Sequence, residues 1–101
     1  MLDLELMKAV AEQMMAGNKV EVGGRIWFLK RTSSQRLKTV RFEVAGREYQ
    51  AIEQNPEKPS RWGQLARQGK KVVQFKDVAT NRFVAVAVDG KIIEYGSGRA
   101  T

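Results

Sequence analysis

The sequence predicts an α+β domain in which an N-terminal helix packs on a twisted, mainly antiparallel sheet of hairpins. Three observations carry this reading. An apolar stripe at helical period opens the chain and stops at Gly17-Asn18. Two-residue turns containing glycine, at 23–24, 45–46 and 89–90, each join segments of strand character. One further helical pattern, after a loop with two prolines, interrupts the strands. The expected order is α-β-β-β-β-α-β-β-β, in a sheet twisted enough to curl toward a half-barrel.

The first helix is expected from about Asp3 to Ala16, with Leu6, Met7, Val10 and Met14 on one face. Asp3 is a suitable N-cap, and Gly17 or Asn18 can end the helix in a left-handed conformation. The methionines Met7, Met14 and Met15 are adaptable fillers for packing against a sheet, or a docking stripe if exposed.

The first hairpin runs from Val20-Glu21-Val22 through Gly23-Gly24 into Arg25 to Leu29. The second runs from Thr39 to Val44, through Ala45-Gly46, into Arg47 to Glu53. A two-residue loop there pairs Val44 with Arg47, Phe42 with Tyr49 and Val40 with Ala51, which makes a core face. Arg41, Glu43, Glu48 and Gln50 fall on the opposite, solvent face. Asn55-Pro56-Glu57-Lys58-Pro59 is a loop, and Ser60 is the N-cap of a short helix ending before Gly69. Trp62, Leu65 and Ala66 share one side of that helix. Gly63 within it costs about 1 kcal/mol of helix stability, so the helix needs tertiary support. Lys71 to Asp77 is a strand with Val73 and Phe75 inward. The last hairpin joins Phe83 to Val88 with Lys91 to Tyr95 through Asp89-Gly90. Alternation puts Val84, Val86, Val88, Ile93 and Tyr95 on one face and Phe83, Ala85, Ala87 and Ile92 on the other. The small alanine side invites close approach of a helix. Residues 1–95 are expected to form one globular domain, and 96–101 a flexible tail.

Composition narrows function. The 101 residues hold 18 Lys and Arg against 11 Asp and Glu, for a net charge of +7. Segments 1–16, 17–54 and 55–101 carry −2, +4 and +5, so the basic surplus follows the first helix. There is no His and no Cys. That removes the side chains most used for neutral-pH proton transfer, thiol chemistry and zinc, and it excludes a disulfide scaffold. No apolar run approaches the roughly 18 residues of a membrane span. The acidic start lacks the basic region of a signal peptide. A cytoplasmic protein without membrane contact is expected. A core of this size leaves little room for an internal ligand, so neither a small-molecule ligand nor a cofactor is expected.

The chain lacks the nucleophile elbow, the phosphate-binding loop, the dinucleotide fingerprint and calcium-loop spacing. Gly23-Gly24 and Gly96-Ser97-Gly98 open no helix and read as a turn and a tail. Glu43 and Glu48 face each other across the second hairpin, but with Arg41 and Arg47 beside them they read as a solvated surface. No catalytic and no metal-ligating residue is assigned.

The suggestive stretch is 30–41, where Lys30, Arg31, Arg36, Lys38 and Arg41 stand without an acid among Ser, Thr and Gln. A flexible basic loop of this kind can follow a nucleic-acid backbone. Arg61, Arg67, Lys70 and Lys71 form a second cluster around Trp62, which either stacks on a base or anchors the short helix in the core. The sequence shows no motif of a known base-reading module. The expected function is therefore a non-enzymatic basic domain that binds a polyanion, nucleic-acid backbone foremost, with little sequence reading. The alternative is a protein-interaction module, with an acidic protein as partner or a second copy in a homodimer, whose basic surface serves solubility.

Overall fold

The structure, a computed structural model, describes residues 3–95. The elements follow the expected order, with one short strand added: α1 (Leu4–Ala16), β1 (Lys19–Val22), β2 (Arg25–Phe28), β3 (Lys30–Arg31), β4 (Lys38–Val44), β5 (Arg47–Glu53), α2 (Arg61–Arg67), β6 (Val72–Asp77), β7 (Arg82–Val88) and β8 (Lys91–Tyr95). β1 and β2 form a two-stranded sheet. The other strands form a six-stranded antiparallel meander, β3-β4-β5-β6-β7-β8, which stays open and does not close into a barrel. The expectations for the Tyr95 side chain and for the tail 96–101 lie outside the described residues and side chains.

All three hairpin turns take the expected form. Both central residues have positive φ at Gly23-Gly24, at Ala45-Gly46 and at Asp89-Gly90, which matches the right-handed twist of the strands. The pairings Val44↔Arg47, Phe42↔Tyr49 and Val40↔Ala51 are those the alternation requires.

The sheet divides the molecule into two apolar clusters. On one face Val40, Phe42, Tyr49, Ala51, Val73, Phe75, Ala85 and Ala87 meet Met7, Val10, Ala11 and Met14 of α1 and Val20 and Val22 of β1. The methionines are thus packing residues. On the other face Trp62 of α2 packs on Val72 and Val86, with Leu65, Ala66 and Val88 at the margin.

The structure departs from expectation at two β-bulges and at the end of one helix. A bulge in β7 pairs Phe75 with Ala85 but Lys76 with Phe83, leaving Val84 as the extra residue. Phe83 is therefore not on the alanine side; it shares the α2 face with Lys76, while Val84 packs against the α1 cluster. A second bulge between Val86 and Ala87 keeps Ile92 opposite Ala87 and leaves Ile93 exposed. The other departure is the end of α1. Gly17 has φ −157° and is not left-handed. Instead the Lys38 ammonium crosses from β4 and donates to the carbonyls of Met14, Met15 and Gly17 at 3.1, 3.4 and 3.4 Å. A cation there satisfies the unpaired carbonyls and the helix dipole together.

α2 is held as its sequence requires. Ser60 Oγ accepts from the Gly63 N–H at 3.2 Å. A Cβ on Gly63 would run into the Lys58 carbonyl, so the glycine permits close approach of the proline loop. Among the described residues, no helix is long and apolar enough to cross a membrane.

Candidate nucleic-acid interface

Pairing register decides which cations share a surface. Lys30 pairs with Thr39, and Thr39 with Ile52. Arg41 pairs with Gln50, Gln50 with Lys76, and Lys76 with Phe83. Cross-strand partners point to the same side. Lys30, Arg41 and Lys76 therefore stand on the face that carries α2, with Thr39, Gln50 and Ile52 between them. Lys30 and Arg41 are diagonal neighbours, about 7–8 Å apart at the backbone. Lys76 lies two strands from Arg41, about 10 Å away.

α2 has seven residues and covers only the β6–β7 part of this face. The uncovered part forms two grooves. One, of about 460 Å³, is lined by Ile26 and Phe28 of β2 and by Lys30, Thr39, Arg41 and Gln50. The other, of about 680 Å³, lies between the Pro59–Trp62 segment and the sheet, with Leu37, Ile52 and Phe83 in its wall. A buried amide pair belongs to its lining: Gln74 Nε2 donates to Gln54 Oε1, and Gln54 Nε2 donates to the Asn55 carbonyl at 3.0 Å. Lys76 Nζ sits 5.9 Å from the centre of the Phe83 ring, within reach of a cation–π attraction.

The other basic residues of 30–41 are placed differently. Arg31 and Lys38 are paired across β3 and β4 on the opposite face. Lys38 caps α1, and the Arg31 guanidinium donates to the Arg36 carbonyl at 2.7 Å. Residues 32–37 form a hydrogen-bonded turn, not the loose loop expected. Thr32 N–H donates to the Leu37 carbonyl, Leu37 N–H to Thr32 Oγ1, and Arg36 takes φ 56°. Local side-chain bonds of Thr compete with open conformations, which is why this polar run closes on itself. Arg41 also meets Glu48 at 3.6 Å, an exposed pair of small energetic weight.

The second cluster is divided. Arg61 begins α2 on the open-face side, its guanidinium 4.6 Å from the centre of the Trp62 ring. Trp62 is only 6% exposed and anchors α2 in the core, so its ring is not a free stacking surface. Arg67 donates to the Pro56 and Lys58 carbonyls and so braces the proline loop. Lys70 meets Asp89 at 3.8 Å. Lys71 lines a separate cleft beside Glu12 and Met15 of α1. Of the nine cations singled out from sequence, the fold brings Lys30 and Arg41 onto one open face, with Arg61 at the helix on the same side.

Three residues of this face escaped the sequence reading: Phe28, Lys76 and Phe83. A signal existed for the first two. A Gly-Gly turn pairs Val20 with Trp27, so the next residue, Phe28, must point the other way. Val73 and Phe75 inward puts Lys76 outward. Phe83 was hidden by the bulge. Glu43 and Glu48 do pair across β4 and β5, both exposed. Among the described residues, no group of three or more acidic side chains is placed to hold a metal ion. No family model matches the chain, and no curated protein or solved structure is significantly similar to it.

Proposed function

We propose that the protein is a non-enzymatic, polyanion-binding domain that lays a nucleic-acid backbone across the open face of its six-stranded sheet. One observation carries this reading: Lys30, Arg41 and Lys76 share a face with hydrogen-bonding Thr39 and Gln50, and the short α2 leaves that part of the face uncovered. Phosphate oxygens accept from Lys, Arg, Thr and Gln alike, and such contacts position a strand without reading its sequence. Arg61 extends the same side. The net charge of +7 adds long-range attraction.

The test is fluorescence anisotropy of labelled oligonucleotides titrated across salt concentration. Wild-type protein is expected to bind with a steep negative log–log salt slope. Lys30→Gln/Arg41→Gln is expected to weaken binding about equally for every sequence and to flatten the slope by about 2. Unchanged affinity in that variant would sink the assignment.

A second reading, the interaction module or homodimer, draws on β8. It is an edge strand with Ile93 exposed, open to pairing with a strand of a second copy. A sedimentation mass that doubles with concentration, and stays single in Ile93→Lys, would favour it.

A further inference from the structure

Among the described residues, Phe28 is the most exposed of the large apolar side chains, at 70%, and its neighbour Ile26 is 49% exposed. Neither belongs to an apolar cluster of the core. The register explains the placement: Val20 and Trp27 pair on the core side of β1 and β2, and Lys19 and Phe28 pair on the other. Trp27 is further fixed by its indole N–H, which donates to the Val22 carbonyl at 3.1 Å. The β2 backbone is thus set by inward residues, and the Phe28 ring is held out at no gain to the fold.

The ring stands at a charged site. Phe28 and Ile26 line the same 460 Å³ groove as Lys30, Thr39, Arg41 and Gln50, whose lining holds two cations and no carboxylate. An aromatic ring beside neighbouring cations and hydrogen-bonding side chains is the combination that holds a base and its flanking phosphates. The Glu48 carboxylate stands 3.6 Å from Arg41, and a purely apolar partner would bury that pair and leave Lys30 unmatched beneath it. In a duplex the base faces are already stacked on one another and out of reach of the ring.

We propose that this groove takes an unpaired base of a single-stranded nucleic acid, stacked on Phe28, with the adjoining phosphates held by Lys30 and Arg41. This rests on the backbone-binding reading above and narrows it to single strands. Every base offers a π-face, so the site is tolerant of sequence.

The experiment compares wild type, Phe28→Ala, Phe28→Tyr and Lys30→Gln/Arg41→Gln on three probes: a single-stranded oligonucleotide, the same sequence as duplex, and an abasic single strand of equal length. Phe28→Ala is expected to lose about tenfold in affinity for the single strand with its salt slope unchanged, to bind duplex and abasic strand as wild type does, and to be rescued by Phe28→Tyr. Single-strand binding insensitive to Phe28→Ala but weakened by Lys30→Gln/Arg41→Gln overturns the stacking site and leaves backbone binding standing. No binding of wild type to any probe at low salt overturns both. A concentration-dependent dimer that Phe28→Ala dissolves overturns the stacking site by assigning the ring to a second copy. Circular dichroism of each variant guards against unfolding as the cause.

Discussion

The two faces of the six-stranded sheet are built from the same strands and finished differently. On one, the 13-residue α1 and the β1–β2 hairpin meet a continuous apolar surface, and Phe42, Phe75, Met7, Met14 and Val10 are fully buried. On the other, the seven-residue α2 seals only Val72 and Val86 and leaves β4 and β5 with polar and charged side chains, Arg41 among Thr39, Glu43, Glu48 and Gln50. Apolar burial at about 25 cal/mol per Å² is the main stabilising term in a domain of this size. The α1 face holds most of the buried apolar residues, and the α2 face carries exposed charge. Apolar burial and exposed charge are thus divided between the two sides of one sheet.

The sharpest test of this division compares two phenylalanines. Phe75→Ala, in the sealed core, is expected to cost about 3–5 kcal/mol. Phe28→Ala, on the open side, is expected to stay within about 0.5 kcal/mol of wild type. Urea unfolding of both variants measures this, and equal losses would break the comparison. A smaller effect is expected at Gly63→Ala. Alanine favours helix, yet its Cβ must displace the Lys58 carbonyl, so a net loss of about 1–3 kcal/mol is expected, as for other overpacked sites. Thermal melting and a red shift in tryptophan emission would report α2 lifting from Val72. An unchanged melt would mean the proline loop yields freely.

The smallest effect separates two lysines close in sequence. Lys38→Met keeps the aliphatic stem and removes the ammonium that bonds three α1 carbonyls. A loss of about 1–2 kcal/mol is expected from unpaired carbonyls and the lost dipole partner. Oligonucleotide affinity should remain within about twofold of wild type. A fall as large as that from changing Lys30 would mean that the two faces act together in binding.

Much of this architecture was legible in the sequence. The hairpin turns could be read because left-handed φ is confined to a few residue types, and Asp89-Gly90 and Gly23-Gly24 advertise it. Ala45 shows the limit: alanine pays a steric cost at φ 52°, and only the flanking register requires it there. The candidate site was less legible, because a run of charge says nothing about direction. Lys30 and Arg31 are adjacent, so a strand turns them to opposite faces. Lys38 was spent on a helix end that Gly17 had looked sufficient to close. Phe83 depended on one unpaired residue, Val84, which reverses the alternation on one side of it and leaves no mark in composition.

The meander order has a consequence for how the chain is assembled. Every strand of the six-stranded sheet is bonded to the strand before or after it in sequence. The longest closure, from β5 to β6, is bridged by α2 and the proline loop. Loop-closure entropy rises only slowly with such lengths, so each pairing is within reach as soon as its second strand exists. The helix α1 is the exception. The surface that receives α1 draws on Val20, Phe42, Phe75 and Ala87, and a helix of 13 residues is marginal by itself in water. The helix α1 precedes every strand of its seat and has no complete partner until β7 has followed it.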